Sequence, residues 1–204
     1  MKINHKKEIL ELNKKIDILQ REINNLKQIF KPDIFKDSWI LKNCHRNILN
    51  NWLNSQNKIF STKLLFSLSS HGHNMNTLKQ LINNKGPTLS LFLLENETII
   101  GGYASISWGA FEDWGKNNNA FIFNLTSNTK FDIKYNKDAI YYAPNNALYS
   151  GHFGYEEHAN YDLNKLCVHR VGGGGNYNNG EKILSQDYRS LKPKEIEVYQ
   201  INLH

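Results

Sequence analysis

Two apolar runs joined by three polar residues constrain the fold of this chain more than any other stretch. The runs are Leu89–Leu94 and Thr98–Ser105, and Glu95-Asn96-Glu97 separates them. Charged residues occur only at the join, while leucine, isoleucine and aromatic residues fill the runs, a pattern typical of a β-hairpin at a domain core. Gly86-Pro87 precedes the hairpin and separates it from an upstream helix, because proline fixes φ and cannot donate a ladder hydrogen bond.

A glycine pair interrupts the second run of the hairpin. Gly101 and Gly102 lie in its middle, where glycine weakens a strand because it loses much conformational freedom and offers no side chain to pack. Such glycines usually mark a bulge or a place where another part of the chain comes close. We therefore predict a positive φ or a close neighbour at one of these two positions.

Short motifs surround this hairpin in a definite order. They are Lys63–Gly72, Gly86–Leu89, Ile100–Tyr103, Ser107-Trp108, Ala120–Leu125 and Lys194–Tyr199. Over residues 38–201 their order and spacing resemble the TLDc domain. The resemblance implies an α+β domain over residues 38–204, in which two antiparallel β-sheets pack as a sandwich with short flanking helices. The family-motif positions expected to determine this fold are Gly86, Pro87, Thr88, Gly101, Gly102 and Trp108.

The same resemblance carries an expectation about function. It implies a non-enzymatic protein of the oxidation-resistance type that protects cells from oxidative stress. Several members of that family bind the vacuolar proton-pumping ATPase (V-ATPase), so its cytosolic sector is the expected partner. The family offers no catalytic set to carry over, and no cofactor or metal is expected. An alternative is a coiled-coil adaptor that docks a different protein complex.

Residues 1–31 carry a heptad pattern that predicts a coiled-coil helix, followed by a linker over residues 32–37. Isoleucine occupies the a positions and leucine the d positions, which favours a parallel two-stranded coiled coil and hence a homodimer. Glu22 and Lys27 fall at g and e positions, where they can pair between chains. The alternative is a single amphipathic helix packed on its own domain. The residues predicted to mediate self-association are Ile9, Leu12, Ile16, Leu19, Ile23 and Leu26.

The remaining segments alternate short apolar runs with turn residues. Helices are predicted at Asn47–Leu53 and Asn76–Ile82, and an edge strand at Trp39–Leu41. Further strands are predicted at Thr62–Ser67, Ala120–Leu125, Lys130–Tyr135, Ala139–Tyr142, Leu166–Arg170 and Ile196–Ile201. Few helices and many short strands indicate a β-rich α+β domain.

Charge and cysteine content limit the partners and the compartment. The 204 residues include 25 Lys and Arg against 19 Asp and Glu, and the resulting charge of +6 is spread along the chain. Nucleic-acid binders usually cluster their basic residues, so no nucleic-acid partner is expected. Cys44 and Cys167 are far apart, which indicates a reducing compartment. No stretch approaches the ~20 apolar residues that span a bilayer, so we expect a cytoplasmic protein without membrane insertion.

Residues capable of catalysis occur without the spacing that catalysis requires. Gly172–Gly175 lacks the lysine and the helix of a phosphate-binding loop. The adjacent Glu156 and Glu157 would point to opposite faces of a strand and cannot act as a pair. Ser70 with His71 lacks a surrounding motif. A less favoured alternative is a metal or thiol enzyme that uses the second-half residues His152, His158, Cys167 and His169.

Aromatic residues after the hairpin are candidates for protein contact. Trp108, Phe111 and Trp114 form a cluster, for which a lid over the β-core is the preferred interpretation. Tyrosine, tryptophan and phenylalanine are also favoured where one protein meets another. The candidate contact residues are Trp114, Tyr149, Phe153 and Tyr155.

Overall fold

The computed structural model divides the chain into two units, Met1–Ile34 and Phe35–His204. It describes residues 2–29, 34–54, 60–109, 113–116, 119–134, 140–142 and 192–204. In the first unit, helix α1 spans Lys2–Ile29. The predicted heptad stretch is therefore helical over these residues, and its pairing as a coiled coil remains a prediction.

The second unit mixes four-to-eleven-residue helices with eight strands among the residues described. The helices are α2 (Asn43–Leu53), α3 (Leu68–His71) and α4 (Met75–Ile82). The strands are β1 (Phe60–Ser67), β2 (Thr88–Leu94), β3 (Ile99–Ala104), β4 (Asp113–Gly115), β5 (Phe121–Asn124), β6 (Thr129–Asp132), β7 (Ile140–Tyr142) and β8 (Pro193–Leu203). The predicted α+β class is confirmed.

Six of these strands form one antiparallel sheet in the order β1-β8-β2-β3-β5-β6, and β4 pairs with β7 in a separate two-stranded sheet. The predicted hairpin is confirmed as β2 and β3, with Leu89 opposite Tyr103. Glu97 at its join has a φ of 65°. A sandwich of two packed sheets was expected, but within the described residues only the six-stranded sheet and the small β4–β7 pair are seen.

Both faces of the large sheet are covered. On one face, Met75, Leu78 and Ile82 of α4 pack into a core with sheet residues that include Ile122 and Val198. On the other face, Trp52 of α2 contacts the Phe123 ring, and Phe35 meets Tyr199 edge to face with ring centroids 5.0 Å apart. Because side chains alternate along a strand, burial of both faces explains why β3 and β5 are apolar nearly throughout.

Phe35 lies inside the segment predicted as a linker, and it is fully buried. Its backbone N–H donates to Thr62 Oγ1 at 2.7 Å, and its φ is 55°. Left-handed backbone is uncommon for an aromatic residue, so the packing on Tyr199 and the hydrogen bond to β1 hold this conformation. Phe35 therefore belongs to the core of the second unit.

The predicted edge strand at Trp39–Leu41 was wrong. The Ser38 hydroxyl accepts hydrogen bonds from the backbone N–H groups of Ile40 and Leu41, at 3.2 and 3.0 Å. These donors serve a local turn and are not available to a neighbouring strand.

Helix α2 was predicted to begin at Asn47 but begins at Asn43. The predicted strand at Leu166–Arg170 lies outside the described residues.

Gly101 occupies a position where its neighbours leave no room for a side chain. It pairs with Phe123 of β5. A Cβ atom built on Gly101 would lie under 3.0 Å from the Phe123 ring and from the backbone oxygen of Ser90. The expected close approach is therefore found at Gly101, where the aromatic ring of the adjacent strand fills the space above the glycine.

We expect Gly101→Val to lower the free energy of unfolding by about 1–3 kcal/mol, because the added carbons overpack the contact with Phe123 and Ser90. Urea denaturation of the two proteins measures the difference. The control is Lys63→Val, which places the same side chain at an exposed strand position and should change the midpoint little. An unchanged midpoint for Gly101→Val would show that the glycine is incidental.

Candidate functional site

A buried hydrogen bond joins Trp108 to the start of the hairpin. Trp108 is buried, and its Nε1–H donates to Thr88 Oγ1 at 2.7 Å. The backbone N–H of Asn84 donates to the Trp108 oxygen at 2.8 Å. The lid interpretation of this tryptophan agrees with its burial, and the loop after β3 is fastened to the connection between α4 and β2.

The remaining motif positions before β2 lie at the same junction. Gly86 has a φ of 81°, and its N–H donates to the Ser107 hydroxyl at 2.9 Å. Positive φ favours glycine because it has no Cβ. The Pro87 carbonyl accepts from the Ile201 N–H at 2.9 Å, which ties the junction to β8. Gly86, Pro87, Thr88 and Trp108 therefore meet in one place, and their role in determining the fold remains a prediction.

A buried carboxylate on β8 holds the segment that precedes α2. Glu197 Oε2 accepts from the Ser38 hydroxyl at 2.6 Å and from the Tyr199 hydroxyl at 3.1 Å. Glu197 Oε1 accepts from the Trp39 backbone N–H at 2.7 Å. Burying an ionisable group is costly unless hydrogen bonds compensate, and here three donors supply that compensation. Sequence reasoning missed Glu197, although a glutamate between Ile196 and Val198 was a usable signal.

The surroundings of Glu197 alter two pKa values. Burial raises the pKa of the Glu197 carboxyl, and the charge of nearby Glu195 raises it further, against the opposing effect of the donors from Ser38, Trp39 and Tyr199. Burial, followed by the charge of Glu197, raises the pKa of the Tyr199 hydroxyl. Both groups hold their protons more tightly than they would in water.

Trp39 stands beside this carboxylate with its side chain 86% exposed. Its backbone is fixed by Glu197, and the next two residues, Ile40 and Leu41, are buried. An exposed tryptophan on an anchored backbone is suited to protein contact, since it offers large area at modest entropic cost. Sequence reasoning assigned Trp39 to a strand and missed this surface.

Of the four contact candidates chosen from sequence, one lies in the described part of the chain. Trp114 lies in β4, with its backbone opposite Tyr141 of β7. Tyr149, Phe153 and Tyr155 lie outside the described residues. The role of these four candidates in protein contact therefore remains a prediction.

The described residues offer little for catalysis. Among them, no group of three or more His, Cys, Asp or Glu side chains is arranged to hold a metal ion. His71 Nδ1 accepts from the Ser67 N–H at 3.1 Å, and its ring stacks on Phe66. This histidine thus supports the start of α3. The other candidates from the sequence lie outside the described part of the chain: Glu156, Glu157, Cys167, the histidines at 152, 158 and 169, and Gly172–Gly175.

Among the helices in the described part of the chain, none is both long enough and apolar enough to cross a bilayer.

Comparison with known proteins covers most of the second unit. The family model described as the TLDc domain matches residues 34–202. The MTOR-associated protein MEAK7 from Homo sapiens is 29% identical over 118 residues, which make up 56% of this chain. The matched segment spans only 22% of the length of the human protein. The similarity therefore concerns one part of that longer protein.

We compare the free energy of unfolding of the natural chain with that of the Glu197→Gln variant. The natural chain should lose stability relative to the variant as the pH rises above 4.5, the ordinary carboxyl pKa. The folded state binds the Glu197 proton more tightly than the unfolded state, so stability is lost as the pH rises toward the folded pKa. The loss is about 1.4 kcal/mol for each pH unit between the two pKa values. Urea denaturation of both proteins across this range measures it.

The glutamine variant is a matched control because it keeps the size of the side chain and does not titrate. Its loss of one accepted hydrogen bond shifts the difference by a constant. A difference that grows with pH would mean that the three donors outweigh burial and lower the pKa of Glu197.

Proposed function

The chain belongs to the TLDc domain family, and on this premise we propose that it is a non-enzymatic protein-interaction domain of the oxidation-resistance type. The family match over residues 34–202 is the observation that carries the proposal. In this proposal the protein acts in the cytoplasm, contributes to protection from oxidative stress, and does so by binding. The resemblance nominates the cytosolic sector of the V-ATPase as the partner, and the heptad pattern of residues 1–31 nominates a second copy of the chain as a further one.

The segment around Trp39 is the contact surface that we propose. Its support is the 86% exposure of the Trp39 side chain together with the Glu197 hydrogen bond that anchors the backbone. Tryptophan is among the residues most enriched at energetic centres of interfaces. A surface that is already ordered before binding loses less conformational freedom when the partner arrives. Trp114, Tyr149, Phe153 and Tyr155 remain proposed as additional contacts.

A second candidate function is that of an adaptor for a different protein complex. The similarity to the human MTOR-associated protein MEAK7 favours it, because the name of that protein describes an association with MTOR. The two candidates share the binding mode and differ in the partner. A pull-down with the full chain discriminates them: V-ATPase subunits among the captured proteins support the first, and an MTOR-containing complex without them supports the second.

We expect Trp39→Ala to weaken binding to the purified V-ATPase cytosolic sector about tenfold or more, the effect of removing a tryptophan at the centre of an interface. The free energy of unfolding should change by no more than about 0.5 kcal/mol, because the side chain is largely exposed. Biolayer interferometry and urea denaturation measure the two quantities. Unchanged affinity for a sector that binds the natural chain would exclude Trp39 from the contact surface.

We also expect Trp114→Ala to weaken the same binding while leaving stability nearly unchanged. The comparison variant is Trp108→Ala, which removes a buried side chain and its hydrogen bond to Thr88 and should cost about 3–5 kcal/mol of stability. If Trp114→Ala costs as much as Trp108→Ala, the Trp114 side chain belongs to the core and the contact surface excludes it.

A further inference from the structure

The α1 helix carries an exposed apolar stripe along its length. The side chains of Ile9, Leu12, Ile16, Leu19 and Ile23 are each between 47% and 58% exposed. Their spacing of three and four residues places them on one face of the helix. Five large aliphatic side chains in a row are more than the scattered apolar residues that ordinary surfaces carry. The stripe therefore requires an occupant.

We propose that the occupant is the same helix of a second copy of this chain, aligned parallel and in register. Ile9, Ile16 and Ile23 take the a positions of the heptad, and Leu12 and Leu19 take the d positions. β-Branched residues at a with leucine at d pack best in parallel two-stranded coiled coils. The helix has 28 residues and is about 42 Å long at 1.5 Å per residue, so the seam runs over about three heptads.

Charge complementarity selects the parallel orientation. In a parallel pair each g residue faces the e residue of the next heptad on the other chain. By heptad position in the sequence, Glu22 is then opposite Lys27 of the second copy, an attractive pair, and Lys15 is opposite the neutral Gln20. In an antiparallel pair with the same core layers, Lys15 is opposite Glu22, but Lys6 is opposite Lys27. The attraction there is offset by repulsion, whereas the parallel pair has no repulsive contact among these positions.

Parallel pairing has a consequence for the rest of the molecule. The two helices end side by side, so both chains continue toward their TLDc domains from the same end of the coiled coil. Two copies of the interaction domain can then engage two sites of one assembly, which raises the apparent affinity without a new contact. This avidity rests on the proposed function, whereas the pairing of the helices does not.

Neighbouring residues on α1 provide a matched test of the seam. Ile18 and Leu19 are equally exposed in the single chain, at 55% and 56%, but only Leu19 lies in the stripe. We expect the full chain to sediment as a dimer at micromolar concentration. Leu19→Asp should weaken the dimer at least tenfold, because two unpaired charges enter the seam, while Ile18→Asp should leave it within about twofold.

Three results would overturn the pairing. They are a natural chain that is monomeric at micromolar concentration, a trimer or larger assembly, and equal weakening by Ile18→Asp and Leu19→Asp. Circular dichroism of each variant, at concentrations above the dissociation constant of its dimer, shows whether the helix is retained. Equal loss of helix in the two variants at such concentrations would also count against a specific seam.

Substitution of Gln20 tests the orientation. In the parallel pair Gln20 faces Lys15, so Gln20→Glu should tighten the dimer about three- to fivefold through two exposed ion pairs, and Gln20→Lys should weaken it by a similar factor. In the antiparallel pair Gln20 faces Asn13, and neither variant should change the affinity. Gln, Glu and Lys have similar helix propensities. Equal affinities for the three proteins would overturn the parallel orientation.

The same variants separate this inference from the proposed function. Leu19→Asp should reduce capture of the chain by a surface densely coated with the V-ATPase cytosolic sector, but leave its affinity for that sector in solution unchanged. Trp39→Ala should reduce the solution affinity and leave the dimer intact. No binding by any of the proteins would contradict the V-ATPase proposal, while a dimer by sedimentation would still support the pairing.

Discussion

The rest of the second unit depends on the insertion of β8 between β1 and β2. Leu64 of β1 pairs with Tyr199, and Leu89 of β2 pairs with the same residue from the other side. Without β8 the sheet would separate into two parts. One part is β1 with helix α3, and the other is the β2–β3 hairpin with β5 and β6. The Pro87 carbonyl also accepts from Ile201. One strand near the carboxyl end of the described chain thus connects all parts of the core.

The central position of β8 explains why it carries carboxylates. Glu197 and Glu195 accept backbone or hydroxyl hydrogen bonds from segments that lie far away in sequence: Ser38 is 159 positions from Glu197, and Leu68 is 127 positions from Glu195. Each carboxylate satisfies donors at a turn or at the start of a helix that would otherwise be unpaired. The strand therefore supplies both the apolar core and the polar contacts that hold its covering segments.

Local sequence pattern was sufficient to predict the hairpin, β1, β5 and α4, because the residues that indicate each of them are adjacent in sequence. The close approach at Gly101 was predictable because glycine is unfavourable inside a strand and so indicates a special position. It failed at Trp39–Leu41, where a distant glutamate and Ser38 outcompete a strand ladder for the backbone donors. The helix α3 was missed for a similar reason, since Glu195 caps it from β8. Exposure of Trp39 was not predictable because burial is decided by tertiary packing.

The place of β8 in the chain also affects how the protein is made. At the usual ~5–20 residues per second of synthesis, β1 and the hairpin leave the ribosome many seconds before their shared neighbour exists. In that interval the edges of β1 and β2 that β8 will cover present open rows of N–H and C=O groups, which other chains can pair with. The nascent chain is therefore prone to aggregation until β8 is synthesised, and chaperone binding would protect it most during that interval.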